Sequence, residues 1–277
     1  MGEDILIRPL DGYGEFEAAV TLQEETWGYG FRDRVPPSIL LVAQELGGLA
    51  SGAWRGDQLV GFVFGMTGLR DGRLVHWSDM LAVRPEARDR GLGRALKLHQ
   101  RERQLALGVD TVHWTFEPLE SRNAYLNFAR LGATSCEYRR DLYGEPDSPL
   151  HRGLGTDRLV ADWAIASQRV QRRLDGDDRP PGPQDVAQIP VVNPTRGEPD
   201  MLTCEEPDLG LDDERVRVAI PREIQLLKTR APERALDWRA KIRSTLEAYL
   251  GRGYVITEVV PEPSRSCYVL ARGGLAR

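Results

Sequence analysis

The stretch Val83–Lys97, VRPEARDRGLGRALK, joins an apolar run to a segment with helical spacing and brings three arginines close to two glycines. Glycine allows backbone conformations and close approaches that side chains prevent. A helix beginning near Leu92 would leave its first N–H groups unpaired and point the positive end of its dipole into the loop. Such N–H groups and nearby arginines favour a diphosphate ligand; a turn with solvated arginines is the alternative. The residues are Arg88, Arg90, Gly91, Gly93 and Arg94.

Two other phosphate-binding motifs fit this sequence less well. The pattern GxxxxGK[ST] of the Walker loop is absent, and Leu96 stands where the pattern GxGxxG needs its third glycine. The loop is also far from the N-terminal strand, where the dinucleotide-binding motif lies. A nucleotide-binding regulator is therefore disfavoured.

Composition limits the classes of function. The chain has 277 residues, of which 41% are hydrophobic and 29% are charged, as is typical of a soluble globular protein. Its net charge of -5 disfavours a broad nucleic-acid surface. No apolar run is long enough for a membrane helix, and the acidic start MGEDILIRPL differs from a secretory signal. Three distant cysteines and four histidines without HExxH spacing indicate a reducing compartment, the cytoplasm, and no metal.

The first half of the chain predicts a mixed α/β fold. Alternating residues from Ile5 to Leu10 predict a strand, and two helix-like segments follow. The turns RGDQ and RDGR divide the next segment into a three-strand meander. After the quoted loop come a helix, the strand TVHWTFEP, the helix SRNAYLNFARLGA and a closing strand from Thr134.

Composition changes after Gly144, so we predict a first domain at 1–145 and a C-terminal α/β extension at 146–277. The extension begins with a strand and a helix, in which we expect Arg169 and Arg173 to be solvated. An irregular connection at 175–214, rich in Pro, Gly and Asp, is expected to carry little core. A strand, a helix restarted at Pro232 and a hairpin end the chain; they form a degenerate second lobe or extra strands on the same sheet.

The motif Arg88–Gly93 resembles the R/Q-x-x-G-x-G/A signature of the Gcn5-related N-acetyltransferase (GNAT) superfamily. The strand DMLAVRPEAR before it resembles the fourth strand of that superfamily, and the element order from Ile5 to about Gly144 is similar to its fold. The stretch TFEPLESRNAYLNFARLGA resembles a bacterial subgroup of acetyltransferases with an extended C-terminal half.

The resemblance implies that acyl-coenzyme A is a co-substrate. The acyl-coenzyme A would lie between the strand ending at Val83 and the strand TVHWTFEP, and its pantetheine arm would pair with the first strand. A main-chain N–H near Leu81 would stabilise the oxyanion. The residues implied for binding are Leu81, Ala82, Val83, Arg88, Asp89, Arg90, Gly91, Leu92, Gly93, Arg94 and Asn123.

Two carboxylates are candidates for the base that removes a proton from the attacking amine. Asp79 lies four residues before Val83, where several superfamily members carry an acid, and Glu117 closes the next strand. Each could instead be a solvated or salt-bridged acid. His76 is a third candidate, although a lone histidine on a strand is more often structural.

The sequence departs from the superfamily at the proton donor for the leaving thiolate. Many relatives place a tyrosine where this chain has Phe128, which has no proton to give and is best interpreted as a core residue. Tyr125, Tyr138 or Tyr143 could substitute, or the thiolate could leave without help.

Two classes of function follow. The first is an N-acyltransferase that moves an acetyl or other acyl group to the amine of a small molecule, such as an amino acid. A succinyl donor would need a cation near the thioester, for which Arg70 and Arg73 are candidates. The second is a noncatalytic acyl-coenzyme A-binding module whose C-terminal half contacts a protein partner. The aromatic residues of the C-terminal half are best interpreted as core; they could instead line the acceptor pocket or form the face of a homodimer.

Overall fold

The computed structural model describes residues 5–144 and 153–273, whose contacts divide them into two units. The first unit contains residues 5–114 and 164–166, and the second contains the remaining described residues. The predicted domain boundary between residues 145 and 146 lies outside the described residues. No helix in the described ranges is both long and apolar enough to cross a membrane.

The first unit has the predicted order of elements, and its sheet runs β1-β2-β3-β4-β5. Neighbouring strands from β1 to β4 are antiparallel, as the short turns between β2, β3 and β4 require, whereas β5 is parallel to β4. The elements are β1 (Ile5–Pro9), α1 (Tyr13–Trp27), α2 (Pro37–Glu45), β2 (Leu49–Arg55), β3 (Gln58–Arg70), β4 (Arg73–Val83), α3 (Leu92–Ala106) and β5 (Val112–Phe116). The last two residues of β5 belong to the second unit.

Two apolar layers hold this sheet. One cluster joins α1 and α2 to the sheet through Phe16, Leu40 and Phe62. The other packs Leu92 and Leu96 of α3 against β2 and β3. Because side chains alternate along a strand, successive residues of β4 belong to different layers.

The second unit is also mixed α/β, with strand order β7-β6-β11-β12-β10 and a separate pair, β8-β9. Its long helix, α7, restarts at Pro232 as predicted. The elements are α4 (Ser121–Ala124), β6 (Thr134–Arg139), β7 (Arg158–Trp163), α5 (Gln168–Asp175), β8 (Thr195–Arg196), β9 (Thr203–Cys204), β10 (Arg215–Pro221), α6 (Ile224–Arg230), α7 (Pro232–Gly251), β11 (Tyr254–Pro261) and β12 (Arg265–Arg272). The mixed α/β fold class is confirmed.

Three details of the second unit differ from expectation. The helix predicted after Ser121 widens into a π-helical turn at Tyr125–Arg130. Arg169 is half-buried and Arg173 is buried, not solvated, because both guanidiniums pair with Glu258 at 2.8 Å and that of Arg173 also pairs with Asp178 at 2.8 Å. The connection at 175–214 is irregular, yet it contributes more core than expected. The side chains it buries include Val186, Val192, Leu202 and Cys204.

Candidate active site

A gap opens in the sheet of the first unit between β4 and β5. The two strands pair only at His76 with Val112 and at Trp77 with His113. Beyond these pairs, β4 continues from Ser78 to Val83 beside β3. This part of β4 therefore turns an edge toward the gap, as the resemblance to the superfamily implies.

The hydrogen bonds of β4 identify the backbone groups that face the gap. The N–H of Arg84 donates to the carbonyl of Val60 in β3 at 2.9 Å. Because N–H groups alternate in direction along an antiparallel strand, those of Leu81 and Val83 point away from β3. The backbone N–H and carbonyl of Ala82 face β3. The resemblance implies Leu81, Ala82 and Val83 for binding, but only Leu81 and Val83 can pair with a ligand in the gap. Arg88 Nε already donates to the carbonyl of Val83 at 2.9 Å.

A β-bulge lies in β4 where the gap begins. Phe64 pairs with Met80 and the next residue, Gly65, pairs with Ser78, so Asp79 is the extra residue. Gly65 is required here because a Cβ atom would lie 2.3 Å from Nε2 of His76. The bulge re-aims Asp79, which is exposed between the buried Ser78 and Met80.

The glycine-rich loop ends at an open helix N-terminus. Gly91 caps α3 with φ +78, and the helix has no side-chain cap hydrogen bond. Asp89 also has a positive φ of 60, so two left-handed residues turn this short loop, a geometry found in backbone anion sites. Ala87 is buried against the α3 layer and anchors the loop, while Arg88 and Arg90 are exposed.

The electrostatic environment of Asp79 suits a base. Although the residue is accessible to water, the surrounding atoms raise the pKa of its carboxyl by desolvation, and repulsion from Asp33 raises it further. Asp33 lies in the connection between α1 and α2. A raised pKa strengthens a carboxylate as a proton acceptor near neutral pH. Sequence reasoning missed Asp33, because nothing local marks a loop residue as a neighbour of β4.

Glu117, the other predicted base, is buried in an ion-pair cluster of the second unit. Nη2 of Arg239 donates to its two carboxylate oxygens at 2.5 and 2.6 Å. The N–H of Leu119 donates to Oε1 at 3.0 Å, and Nη1 of Arg158 lies 3.6 Å from Oε2. These contacts favour the salt-bridged interpretation, since a base needs a lone pair that is open to the substrate.

Replacing Glu117 with Gln is expected to lower the free energy of unfolding by about 3 kcal/mol, because it leaves the buried Arg239 with only the more distant carboxylate of Asp157, 4.0 Å away. Urea denaturation measures the change. A matched control is Glu223→Gln, which removes an exposed carboxylate 3.8 Å from Arg122 and should change stability by less than about 0.5 kcal/mol. Equal stability of the Glu117→Gln variant and the wild type would contradict the structural role.

A buried polar network lies on the α3 side of the first unit. Nζ of Lys97 donates to Ser78 Oγ at 2.7 Å and to Gln100 Oε1 at 3.2 Å. Gln100 Nε2 lies 2.9 Å from Nε2 of His76, whose Nδ1 lies 2.9 Å from Thr67 Oγ1. Burial lowers the pKa of His76 to about 3, so the ring is neutral, accepts from Gln100 and donates to Thr67. This arrangement supports the structural interpretation of His76.

Lys97 is the functional candidate that sequence reasoning missed. Its side chain is buried, and its ammonium lies 4.0 Å from the ring centroid of Trp114. Desolvation lowers the pKa of Lys97 to about 7. The signal in the sequence is a polar stripe at helical spacing, in which Gln100 and Gln104 follow Lys97 and are also buried.

The stability of the protein is expected to rise with pH above neutrality because of Lys97. Its pKa is lower in the folded protein than in the unfolded chain, so between about pH 7 and pH 10 the unfolded state binds more protons. The free energy of unfolding should gain up to about 1.4 kcal/mol per pH unit in that range relative to Lys97→Met. Urea denaturation from pH 7 to pH 9 measures both proteins; parallel pH dependences would contradict burial of a titrating amine.

The residues considered for the leaving thiolate all lie in the second unit. Phe128 is fully buried and its ring packs on Phe116 and Tyr268, which confirms its interpretation as core. The hydroxyl of Tyr138 donates to Asp157 at 2.5 Å, and its pKa is raised by burial and by that bond. Tyr143 bonds Thr115 at 2.8 Å.

Two further predicted residues of the second unit are exposed. Tyr125 and Asn123 are open to solvent, and contact of Asn123 with the coenzyme stays a prediction.

Arg70 and Arg73 pair across the turn between β3 and β4. Arg73 is six residues before Asp79, about 20 Å along an extended strand, which argues against a role beside the thioester. Among the described residues, no group of three or more His, Cys, Asp or Glu side chains is arranged to hold a metal.

No family model matches the chain, and no curated protein matches it. Solved structures similar to it include the ribosomal-protein-S18-alanine N-acetyltransferase from Escherichia coli, at 20% identity and TM-score 0.47, over 59% of this chain and 96% of that one. Another is an acetyltransferase of the GNAT family from Streptococcus pneumoniae, at 14% identity and TM-score 0.45, over 57% of this chain and 98% of that one.

NAA60 from Arabidopsis thaliana, solved with acetyl-CoA, is similar at 14% identity and TM-score 0.47, over 58% of this chain and 99% of that one. The Escherichia coli and Streptococcus proteins are acetyltransferases, and the Streptococcus protein belongs to the GNAT family. Resemblance to the bacterial subgroup stays a prediction.

Proposed function

We propose that the protein is an N-acyltransferase that moves an acetyl or other acyl group from acyl-coenzyme A to the amine of a small molecule. The observation that carries this proposal is the gap beside β4, which runs from the bulge at Asp79 to the open N-terminus of α3. A pantetheine arm can pair with Leu81 and Val83, while the helix N-terminus and the loop arginines bind the pyrophosphate.

In the proposed reaction, Asp79 takes a proton from the substrate ammonium, and the resulting amine attacks the thioester carbonyl directly. The N–H of Leu81, which points into the gap beside the bulge, is the candidate donor to the oxyanion. A C–N bond forms, and the nitrogen, now positively charged, loses its second proton to water. The C–S bond breaks, and its electron pair leaves with the sulfur. The protein contributes chiefly position and electrostatic stabilisation.

A noncatalytic acyl-coenzyme A-binding module is the second candidate. It is favoured by one observation, namely that Phe128, at the usual tyrosine register, is a core residue with no proton to donate. A module of this kind would bind the coenzyme through the same loop and gap but would give no turnover.

Calorimetric titration with coenzyme A, acetyl-CoA and succinyl-CoA, followed by thiol release over a panel of amines, tests both candidates. Binding with release of thiol that depends on an amine supports the acyltransferase, and binding without release over the panel supports the module. Absence of binding by the folded protein overturns both. Among the described residues, Cys136, Cys204 and Cys267 form no disulfide, in keeping with the cytoplasm as the proposed location. A homodimer also remains a proposal.

A further inference from the structure

The ammonium of Lys97 lies where β4 and β5 separate. Its partners Ser78 and Trp114 directly follow Trp77 and His113, the last residues at which the two strands pair. Lys97 therefore contacts both edges of the gap at its narrow end. If the proposed function is correct, pyrophosphate bound at the N-terminus of α3 places the pantetheine along β4 and the sulfur near this end.

No carboxylate of the described residues forms an ion pair with Lys97; its partners there are a hydroxyl, an amide oxygen and an aromatic face. Burial without a counter-ion destabilises the charged ammonium form of an amine, so the buried amine gives up its proton more easily. Among the described titratable groups, His76 faces the ammonium of Lys97 from β4, and its ring is neutral near pH 7. Trp114 on β5 and Gln100 on α3 carry no charge.

We propose that Lys97, acting through the hydroxyl of Ser78, supplies the proton that the departing thiolate of coenzyme A takes up. This inference rests on the proposed function and gives the reaction the proton donor that Phe128 cannot be.

The transfer balances as follows. As the C–S bond breaks, its electron pair goes to sulfur, and the sulfur takes the hydroxyl proton of Ser78. Ser78 Oγ takes a proton from Nζ of Lys97, with which it already shares a hydrogen bond of 2.7 Å. Asp79 holds the first proton removed from the substrate ammonium, and the nitrogen loses its second proton to water as the amide forms. Exchange with water then restores Asp79 and Lys97.

The direction of the transfer is favourable. The pKa of Lys97, about 7, is below the value of about 8.5 for an ordinary thiol, so the ammonium is the stronger acid. An unshifted lysine, with a pKa near 10.4, would be a weaker acid than the thiol and could not drive this step.

The experiment measures the pKa of the thiol of bound coenzyme A from its ultraviolet thiolate absorbance. Subtracting the spectrum of the complex with desulfo-coenzyme A, which lacks only the sulfur, removes the protein's own cysteines. In the wild type, the thiolate and the ammonium should stabilise each other as a coupled pair, so that the thiolate forms at a pH about one unit lower than in free coenzyme A and Lys97 keeps its proton to a higher pH. Lys97→Met should abolish this shift, whereas Arg103→Met, which removes an exposed cation of the same helix, should preserve it.

The outcomes separate this inference from the function on which it rests. Failure of the wild type to bind coenzyme A overturns the proposed function itself. Binding without any lowering of the thiol pKa in the wild type overturns the role of Lys97 alone, whether or not Lys97→Met folds. An equal shift in the wild type and in a folded Lys97→Met variant also overturns that role.

A second measurement addresses the proton directly. Acetyl-selenocoenzyme A has the same nucleotide and pantetheine portions as acetyl-CoA. Its selenolate is a much weaker base than a thiolate and leaves without taking up a proton. Lys97→Met should slow transfer from acetyl-CoA about tenfold more than transfer from the selenium analogue. Equal slowing with both donors would overturn proton donation.

Discussion

Glutamate in place of Gly93 is expected to weaken coenzyme A binding by about a hundredfold or more. Gly93 lies in the first turn of α3, among the N–H groups that no side chain caps. A carboxylate about 4 Å from one phosphate charge costs about 4 kcal/mol at an effective dielectric constant of 20. The dissociation constant from calorimetric titration measures the effect.

Gly93→Gln is the matched control, because it has nearly the same size without the charge. Gly93 is also a better position than Gly91, whose φ of +78 would add backbone strain to any side chain. Circular dichroism should be equal for all proteins. If coenzyme A bound equally well to folded Gly93→Glu, Gly93→Gln and wild-type proteins, the loop would not be the pyrophosphate site.

Asn in place of Asp79 is expected to lower kcat by about 10²- to 10⁴-fold, because it removes the proposed base. The binding of acyl-coenzyme A should change little, because the gap and the loop stay intact. Steady-state kinetics with the amine found by screening separates the two effects. An active Asp79→Asn variant would exclude Asp79 as the base.

A pH profile provides the accompanying control at Asp33. Repulsion from Asp33 contributes to the raised pKa of Asp79, so Asp33→Asn should lower that pKa. The acidic limb of the kcat/KM profile, where activity is lost as Asp79 becomes protonated, should then move to lower pH. An unmoved limb would show that another group titrates there.

Local patterns in the sequence were sufficient to predict the elements and the loop. Alternation predicts the strands, and the turns RGDQ and RDGR predict the meander. The two glycines and three arginines around the start of α3 predict an anion site, and the structure places them at a helix N-terminus without a side-chain cap. Each prediction depends on residues within a few positions of one another, whose conformational preferences act before distant contacts form.

Tertiary structure decided the state of the titratable groups. The sequence makes Glu117 a candidate base, but in the structure its carboxylate is bound by Arg239, which is 122 residues away in the chain. Arg173 was expected in water and lies buried against Glu258, 85 residues away. In the sequence Lys97 resembles an ordinary helical lysine, but in the structure its ammonium contacts Ser78 of β4 and Trp114 of β5.

The sequence alone therefore determined the order of the elements and the place of the candidate phosphate-binding loop. Only the tertiary structure decided that the carboxylate of Asp79 is exposed and that the amine of Lys97 is desolvated. Burial and charge pairing set these states, and both depend on distance in space, which residue spacing along the chain does not specify.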